Sequence, residues 1–360
     1  MDTTQRPSPL ARYLFLAYVL LIIYATLFPF SGWRDAGISA FAYLTAARPP
    51  YITGFDLAAN VLGYVPYGAL AVLAMYPRVT GSAAFVAALT TGTALALMLE
   101  AVQTFLPARF ASNIDVACNM AGAALGALAG VRSARWLFGT SVLLQWRTQH
   151  LLPGARADAG VVLLALWVGT QLNPASLLFG AGDLRDLFRQ PAGSAYEPDV
   201  FVAIEALTAA SNLVAVGLTL SAVLKPGAPH VRAMFGLIGL GLIVKTAAFA
   251  ILRQAEDVFH WLTPGALIGL AAGLPLLFAA ATLPRVIRLA LAAVLLMGAT
   301  VLVNLAPANP YFASTLAVWA QGHFLNFNGL TRLLSVLWPF AALLYLMLVA
   351  ARPGEGGTRG

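Results

Sequence analysis

Residues 112–122 read SNIDVACNMAG, and residues 53–63 read TGFDLAANVLG. In both stretches a hydroxyl residue stands three positions before an Asp, with an Asn four positions after the Asp and a Gly seven after it. On an α-helix these last three lie along one stripe, because residues three or four apart share a face. Each stretch opens an apolar run long enough to cross a bilayer. The pair therefore reads as two polar starts of membrane helices.

Composition agrees with that reading. The chain has 360 residues, of which 60% are hydrophobic and only 10% charged, and its mean hydropathy is +0.81. Apolar runs of roughly 20 residues, the length that spans a hydrocarbon core, occur near 12–32, 55–76, 83–105, 114–134, 159–179, 200–223, 231–252, 259–281, 286–306 and 332–351. The expected fold is an all-α polytopic integral membrane protein with about ten transmembrane helices. The alternation of an outer-membrane β-barrel is missing. The first run reaches the polar WRD stretch at residues 33–35 without a small-residue cleavage site, so it reads as a retained helix and not a signal peptide. Cys118 is the single cysteine and sits within a run, so no intrachain disulfide can form. Lys and Arg concentrate in the connections on the side of the N-terminus, among them Arg78, Arg132, Arg147, Arg156, Lys225, Arg285 and Arg288. By the positive-inside rule both termini are expected in the cytoplasm. The net charge of +7 follows from that bias and an anionic inner leaflet, so no nucleic-acid partner is implied.

The longest basic connection, RSARWLFGTSVLLQWRTQHLLPGARAD, follows the fourth run and divides the chain. Residues 1–145 form an expected four-helix unit, and residues 146–360 an expected six-helix region. Trp and Arg in the connection suit a segment lying in the membrane interface. Within the first unit the repeat is larger than the opening stretch. Run one ends in Thr26-Leu-Phe-Pro29 and run three in Thr104-Phe-Leu-Pro107, and each is followed by a loop and one copy of the Asp-Asn-Gly pattern. Two helical hairpins read as copies. The second carries Glu100, Gln103 and Arg109, where the first has Ile22 and Ala25 opposite Glu100 and Gln103.

Two kinds of role are readable in these residues. Ser112 with Asp115, and Thr53 with Asp56, fit capping boxes that satisfy the orphan N–H groups of a helix start. Gly122, Gly126 and Gly130 form a small-residue ridge for close helix packing. Capping explains neither Asn60 and Asn119 nor Glu100 and Gln103. Polar groups in spans cost about 2.5–3.5 kcal/mol at the centre on insertion scales and face a protein interior or a wet cavity. All of these groups fall near the same, outer, end of their helices, which points to a polar pocket at headgroup level.

The stretch EAVQTFLPARFASNIDVACNMAGAALG, residues 100–126, resembles the second half of the VanZ-like domain, whose pattern runs E-x-x-Q, Pro and Arg, Ser, then D-x-x-x-N-x-x-G-x-x-x-G. Asp56-x-x-x-Asn60-x-x-Gly63-Tyr-Val-Pro66-Tyr-Gly68 resembles the first half. The family is named from glycopeptide-antibiotic resistance. The resemblance implies a multi-pass protein of the bacterial cytoplasmic (inner) membrane that handles lipid headgroups or lipid-linked cell-wall precursors. One departure stands out: many members carry a His in the second span, whereas here Asn60 and Tyr64 fill the neighbouring positions, which argues against imidazole chemistry. The catalytic candidates are Glu100, Asp115 and Asp56, with Glu100 as acid or base in a low-dielectric site. The substrate-binding candidates are Arg109, Gln103, Asn119, Asn60 and Ser112, with Arg109 as a planar fork for phosphate or carboxylate. The chemistry expected is phosphoryl or headgroup transfer at the outer leaflet, with membrane lipid as partner.

The C-terminal runs say less. Lys245 and Glu205 are expected to form a buried ion pair. His260 and His323, near acids, lack the spacing of a zinc site, so no metal or other cofactor is implied. The aromatic connection from Asn309 towards the last run reads as an interfacial helix that could cover the pocket. Two other functions fit the composition: a transporter or flippase for amphiphilic substrates, and a noncatalytic scaffold for envelope assembly.

Overall fold

The computed structural model describes residues 8–35, 37–47, 53–107, 109–138, 142–185, 197–252, 258–307, 309, 311 and 325–351. Among them all regular structure is helical, and nine helices are long and apolar enough to cross a membrane. Contacts divide the chain into two units, Met1–Thr148 and Gln149–Gly360.

The N-terminal unit holds α1 (Pro9–Leu27), α2 (Gly54–Met75), α3 (Gly81–Gln103), α4 (Asn113–Phe138) and most of the short α5 (Val142–His150). A 3-10 turn, Ala42–Leu44, lies in the α1–α2 connection. Its tightest packing is α2 on α4. A Cβ on Gly122 would collide with the Val61 carbonyl, one on Gly126 with the Val65 carbonyl, and one on Gly68 with the Ala123 carbonyl. Only glycine lets the two backbones approach so closely, and in lipid that approach supplies the packing energy that water would otherwise provide. Tyr64, Tyr67, Ala71, Ala88, Ala96, Leu99, Ala123 and Ala127 fill the centre. Pro66 sits inside α2, where it withholds one backbone donor without breaking the helix.

The C-terminal unit holds α6 (Ala155–Thr170), α7 (Pro198–Val223), α8 (His230–Leu252), α9 (Pro264–Ala281), α10 (Arg285–Leu305) and α11 (Leu325–Ala350). Helix α7 is its axis: nearly every residue from Asn212 to Val223 is buried, and α9 and α10 pack along it. Trp167, Phe179, Leu213, Leu218, Leu277, Leu296 and Leu346 belong to this core.

One expected span is corrected. The run 159–179 does not form a single crossing helix, because α6 stops at Thr170 after 16 residues. At 1.5 Å per residue it covers about 24 Å, short of a hydrocarbon core of about 30 Å. Pro174 keeps the helix from resuming, because the residue before a proline, here Asn173, is pushed out of helical conformation. The chain continues as an irregular segment whose Asn173, Leu177, Leu178, Phe179 and Ala181 are nonetheless buried. Other boundaries also move. Helix α1 ends at Leu27, before Pro29, and α11 starts seven residues ahead of the expected run. The expected interfacial helix after Asn309 falls largely on residues 312–324, outside the described residues, as does His323.

Candidate functional site

The two copies of the Asp-Asn-Gly pattern start α2 and α4, but their acids do different work. In the first copy the capping box is complete. Thr53 N–H donates to Asp56 Oδ2 at 3.0 Å, and Asp56 N–H donates to Thr53 Oγ1 at 3.2 Å. In the second copy Ser112 Oγ accepts from Ile114 N–H at 3.1 Å, as an N-cap should. The reciprocal bond, however, does not come from Asp115. The Ser112 backbone N–H donates to Glu100 Oε2 at 2.9 Å, from the end of α3. Glu100 thus replaces Asp115 in the cap. Asp115 turns to the neighbouring helix and accepts from Asn60 Nδ2 at 2.8 Å. This bond joins the acid of one copy to the amide of the other.

Glu100 is 3% exposed, and Asn119, one turn below Asp115, is 6% exposed with an Oδ1 that accepts no hydrogen bond. Asp115 lies within electrostatic range of both Asp56 and Glu100. Tyr64, one turn below Asn60, places a buried, unpartnered hydroxyl within electrostatic range of Glu100. Neither copy of the repeat marks Tyr64 as a site residue; its signal is its place at the i+4 position from Asn60.

Gln103 and Arg109 are committed elsewhere. Gln103 Nε2 donates to Thr26 O at 2.8 Å, and Arg109 Nε donates to Phe28 O at 3.0 Å, with Nη2 on the same oxygen. The last carbonyls of a helix have no intrahelical partner, and here the second hairpin supplies donors for the end of α1. A cation also suits the negative end of the helix dipole. Burial pulls the Arg109 guanidinium below its ordinary value, and Glu100 partly restores it. The surrounding loops are tied together at this end. Thr104 Oγ1 donates to Ala40 O, Asn113 Nδ2 to Ala46 O, and Arg34 N–H to Phe105 O. So Asp115, Asn60, Glu100, Asp56, Asn119 and Tyr64 form the polar group, while Gln103, Arg109 and Ser112 hold the elements that carry it.

The expected direct pairing of Lys245 with Glu205 in the C-terminal unit is corrected. Lys245 Nζ donates to Asn173 O at 2.7 Å, to Ser176 O at 2.9 Å and to Ser176 Oγ at 3.2 Å. Glu205 accepts from Thr263 Oγ1 at 2.6 Å and acts on Lys245 only electrostatically. The break in α6 explains the change: an irregular segment has carbonyls to offer, whereas those inside a regular helix are already paired. His260 contacts the Tyr311 carbonyl at 3.1 Å, and among the described residues no three His, Cys, Asp or Glu side chains group as a metal site.

Neither a curated protein nor a solved structure matches this chain. Residues 15–133 match the family model described as VanZ/LLP1, a stretch that runs from α1 into α4 and holds both copies of the Asp-Asn-Gly pattern together with Glu100. The N-terminal four-helix unit of this multi-pass membrane protein is therefore a VanZ-like domain.

Proposed function

We propose that the VanZ-like unit binds the headgroup of a membrane lipid, or of a lipid-linked cell-wall precursor, and acts on it at the outer face of a bacterial cytoplasmic membrane. The observation that carries this reading is the exchange of caps: Glu100 takes the Ser112 N–H and Asp115 is released to Asn60. A purely structural repeat has no use for that exchange, since Asp56 shows that the acid can cap its own helix. The outward placement rests on the positive-inside bias of the N-terminal unit, where Arg6, Arg12, Arg78, Arg132, Arg135 and Arg147 lie on the side of the N-terminus and Arg34, Arg48 and Arg109 on the other. In this reading Glu100 is the buried acid or base, and Asp115 with Asp56, Asn60 and Asn119 orients the reacting group. Gln103, Arg109 and Ser112 keep the helix ends in register. Headgroup or phosphoryl transfer is the reaction class, and action on a cell-wall precursor would connect the protein to glycopeptide resistance.

The test is complementation of a deletion strain with the wild-type gene or Asp115→Ala, followed by analysis of outer-leaflet lipids and cell-wall precursors. The variant should leave the deletion's lipid or precursor change uncorrected. Equal rescue would replace this reading with a noncatalytic scaffold. Transport of an amphiphilic substrate is favoured by a separate feature, the irregular buried segment after α6 whose carbonyls hold Lys245. Interrupted helices commonly surround transported ligands. Reconstituted protein that moves a fluorescent lipid between leaflets, and loses this with Lys245→Met, would support transport.

A further inference from the structure

The sequence leads one to expect a phosphate or carboxylate on Arg109, but the open valences of the polar group favour a different ligand. Three carboxylates, Asp56, Asp115 and Glu100, lie within electrostatic range of one another in sequence, Asp56 to Asp115 and Asp115 to Glu100. The cation near them, Arg109, spends Nε and Nη2 on the Phe28 carbonyl. Among the described residues, Asp115 uses one oxygen on Asn60 and Glu100 uses one on Ser112. No described residue donates a hydrogen bond to Asp115 Oδ2 or Glu100 Oε1. Asn119 Oδ1 is a third open acceptor, on a side chain 6% exposed, and the unpartnered Tyr64 hydroxyl, on a side chain 5% exposed, can accept as well. The two fully buried ones, Asn119 Oδ1 and the Tyr64 hydroxyl, are the costly ones, since a buried acceptor without a donor is normally matched by a ligand or water. A phosphate would bring more acceptors to a group already rich in them. A group with several N–H donors and a positive charge fits it.

The surroundings indicate where that group comes from. The loops that close this end of the unit expose Phe30, Trp33, Phe41 and Phe110, the last at 87%. Trp is enriched at the level of the lipid headgroups, and Trp33 suits that place.

We propose that this end of the VanZ-like unit is a receptor for a primary ammonium group carried by a lipid headgroup, with Asp115, Glu100 and Asn119 as its acceptors. The proposal rests on the headgroup reading above and names the part of the headgroup that is recognised. The three N–H bonds of the ammonium would run to Asp115 Oδ2, Glu100 Oε1 and Asn119 Oδ1. A choline headgroup, which has charge but no N–H, would bind less well, and a glycerol headgroup, with neither charge nor N–H, less well again.

The experiment is binding of short-chain phosphatidylethanolamine, phosphatidylcholine and phosphatidylglycerol to the full-length protein in uncharged detergent, read by native mass spectrometry, with free ethanolamine as competitor. The ethanolamine lipid should bind at least tenfold more tightly than the glycerol lipid, and Asp115→Asn should remove that preference. Asn119→Leu is the second variant, because it deletes an orphan acceptor without leaving any partner unpaired. It should reduce ethanolamine-lipid binding severalfold while the unfolding temperature holds or rises; a merely structural Asn119 would leave binding untouched. Tighter binding of the glycerol lipid, dependent on Asp115, would overturn the ammonium proposal and leave the headgroup reading intact. Free ethanolamine competing mole for mole with its lipid would overturn the lipid source. Equal binding of all three lipids, unaffected by either variant, would sink both readings.

Discussion

A backbone N–H at the start of a helix needs an acceptor, and which side chain supplies it decides what the remaining acid is free to do. Asp56 supplies its own and is held. Asp115 is relieved by Glu100. The relief makes two carboxylates interdependent, and this can be measured. Glu100→Ala leaves the Ser112 N–H buried without an acceptor and should cost about 1–3 kcal/mol of stability, seen as a lower unfolding midpoint, whereas Glu100→Gln keeps an acceptor oxygen and should lose much less. Thr53→Ala removes an ordinary cap and should cost about 0.5–2 kcal/mol without changing the headgroup phenotype. If Thr53→Ala and Asp115→Ala produced the same phenotype at equal protein levels, the distinction drawn between the two copies would be wrong. The sequence makes the acids visible as candidates, but both copies spell a capping box. Spacing along one chain cannot report that an acid twelve residues upstream will take over a cap, because that exchange depends on how α3 leans on α4.

At the scale of helices, the glycines of the two copies separate in the same way. Gly63 and Gly122 hold equivalent places in the repeat, and the sequence offers no reason to treat them differently. In the structure a Cβ on Gly63 meets nothing within 4 Å, while one on Gly122 meets the Val61 carbonyl. Gly63→Ala should therefore be neutral or stabilising by about 0.5–1 kcal/mol, the helix propensity recovered. Gly122→Ala and Gly126→Ala must push α2 and α4 apart and should destabilise by about 1–3 kcal/mol or more, the range for overpacking. Unfolding of the two sets in the same detergent gives the comparison, and similar midpoints would contradict the α2–α4 contact. The ridge Gly122, Gly126 and Gly130 was legible because small residues four apart have one common use in membranes. The early end of α6 was less so. Its hydropathy continues past Thr170 as though the helix did, and only Asn173-Pro174 hints at the break. Hydropathy registers burial, and the irregular segment is buried too, so the two cannot be told apart by that measure.

For the whole molecule, the buried Lys245 tests whether the broken segment has a fixed partner. Lys245→Met withdraws the donor from two buried carbonyls. Leaving a buried carbonyl without its donor costs about 1–3 kcal/mol, so this variant should unfold at a lower temperature. An unchanged midpoint would show that Asn173 and Ser176 find other donors. Orientation has its own test: a reporter fused near Gln149, where the two units meet in sequence, should report the cytoplasm, and an external signal would turn the proposed pocket inward. What the sequence determined by itself is the membrane-helical class, the N-terminal span positions to within a few residues, the paired polar helix starts and the VanZ-like pattern. These follow from composition, run length and spacing, which are local properties of a chain in lipid. The tertiary structure alone decided which acid caps and which is released, that Arg109 and Gln103 serve the end of α1, and that Lys245 is held by carbonyls and not by Glu205. Each of these is a choice among competing hydrogen-bond partners, and partners are chosen by proximity in three dimensions, which spacing along the chain does not contain.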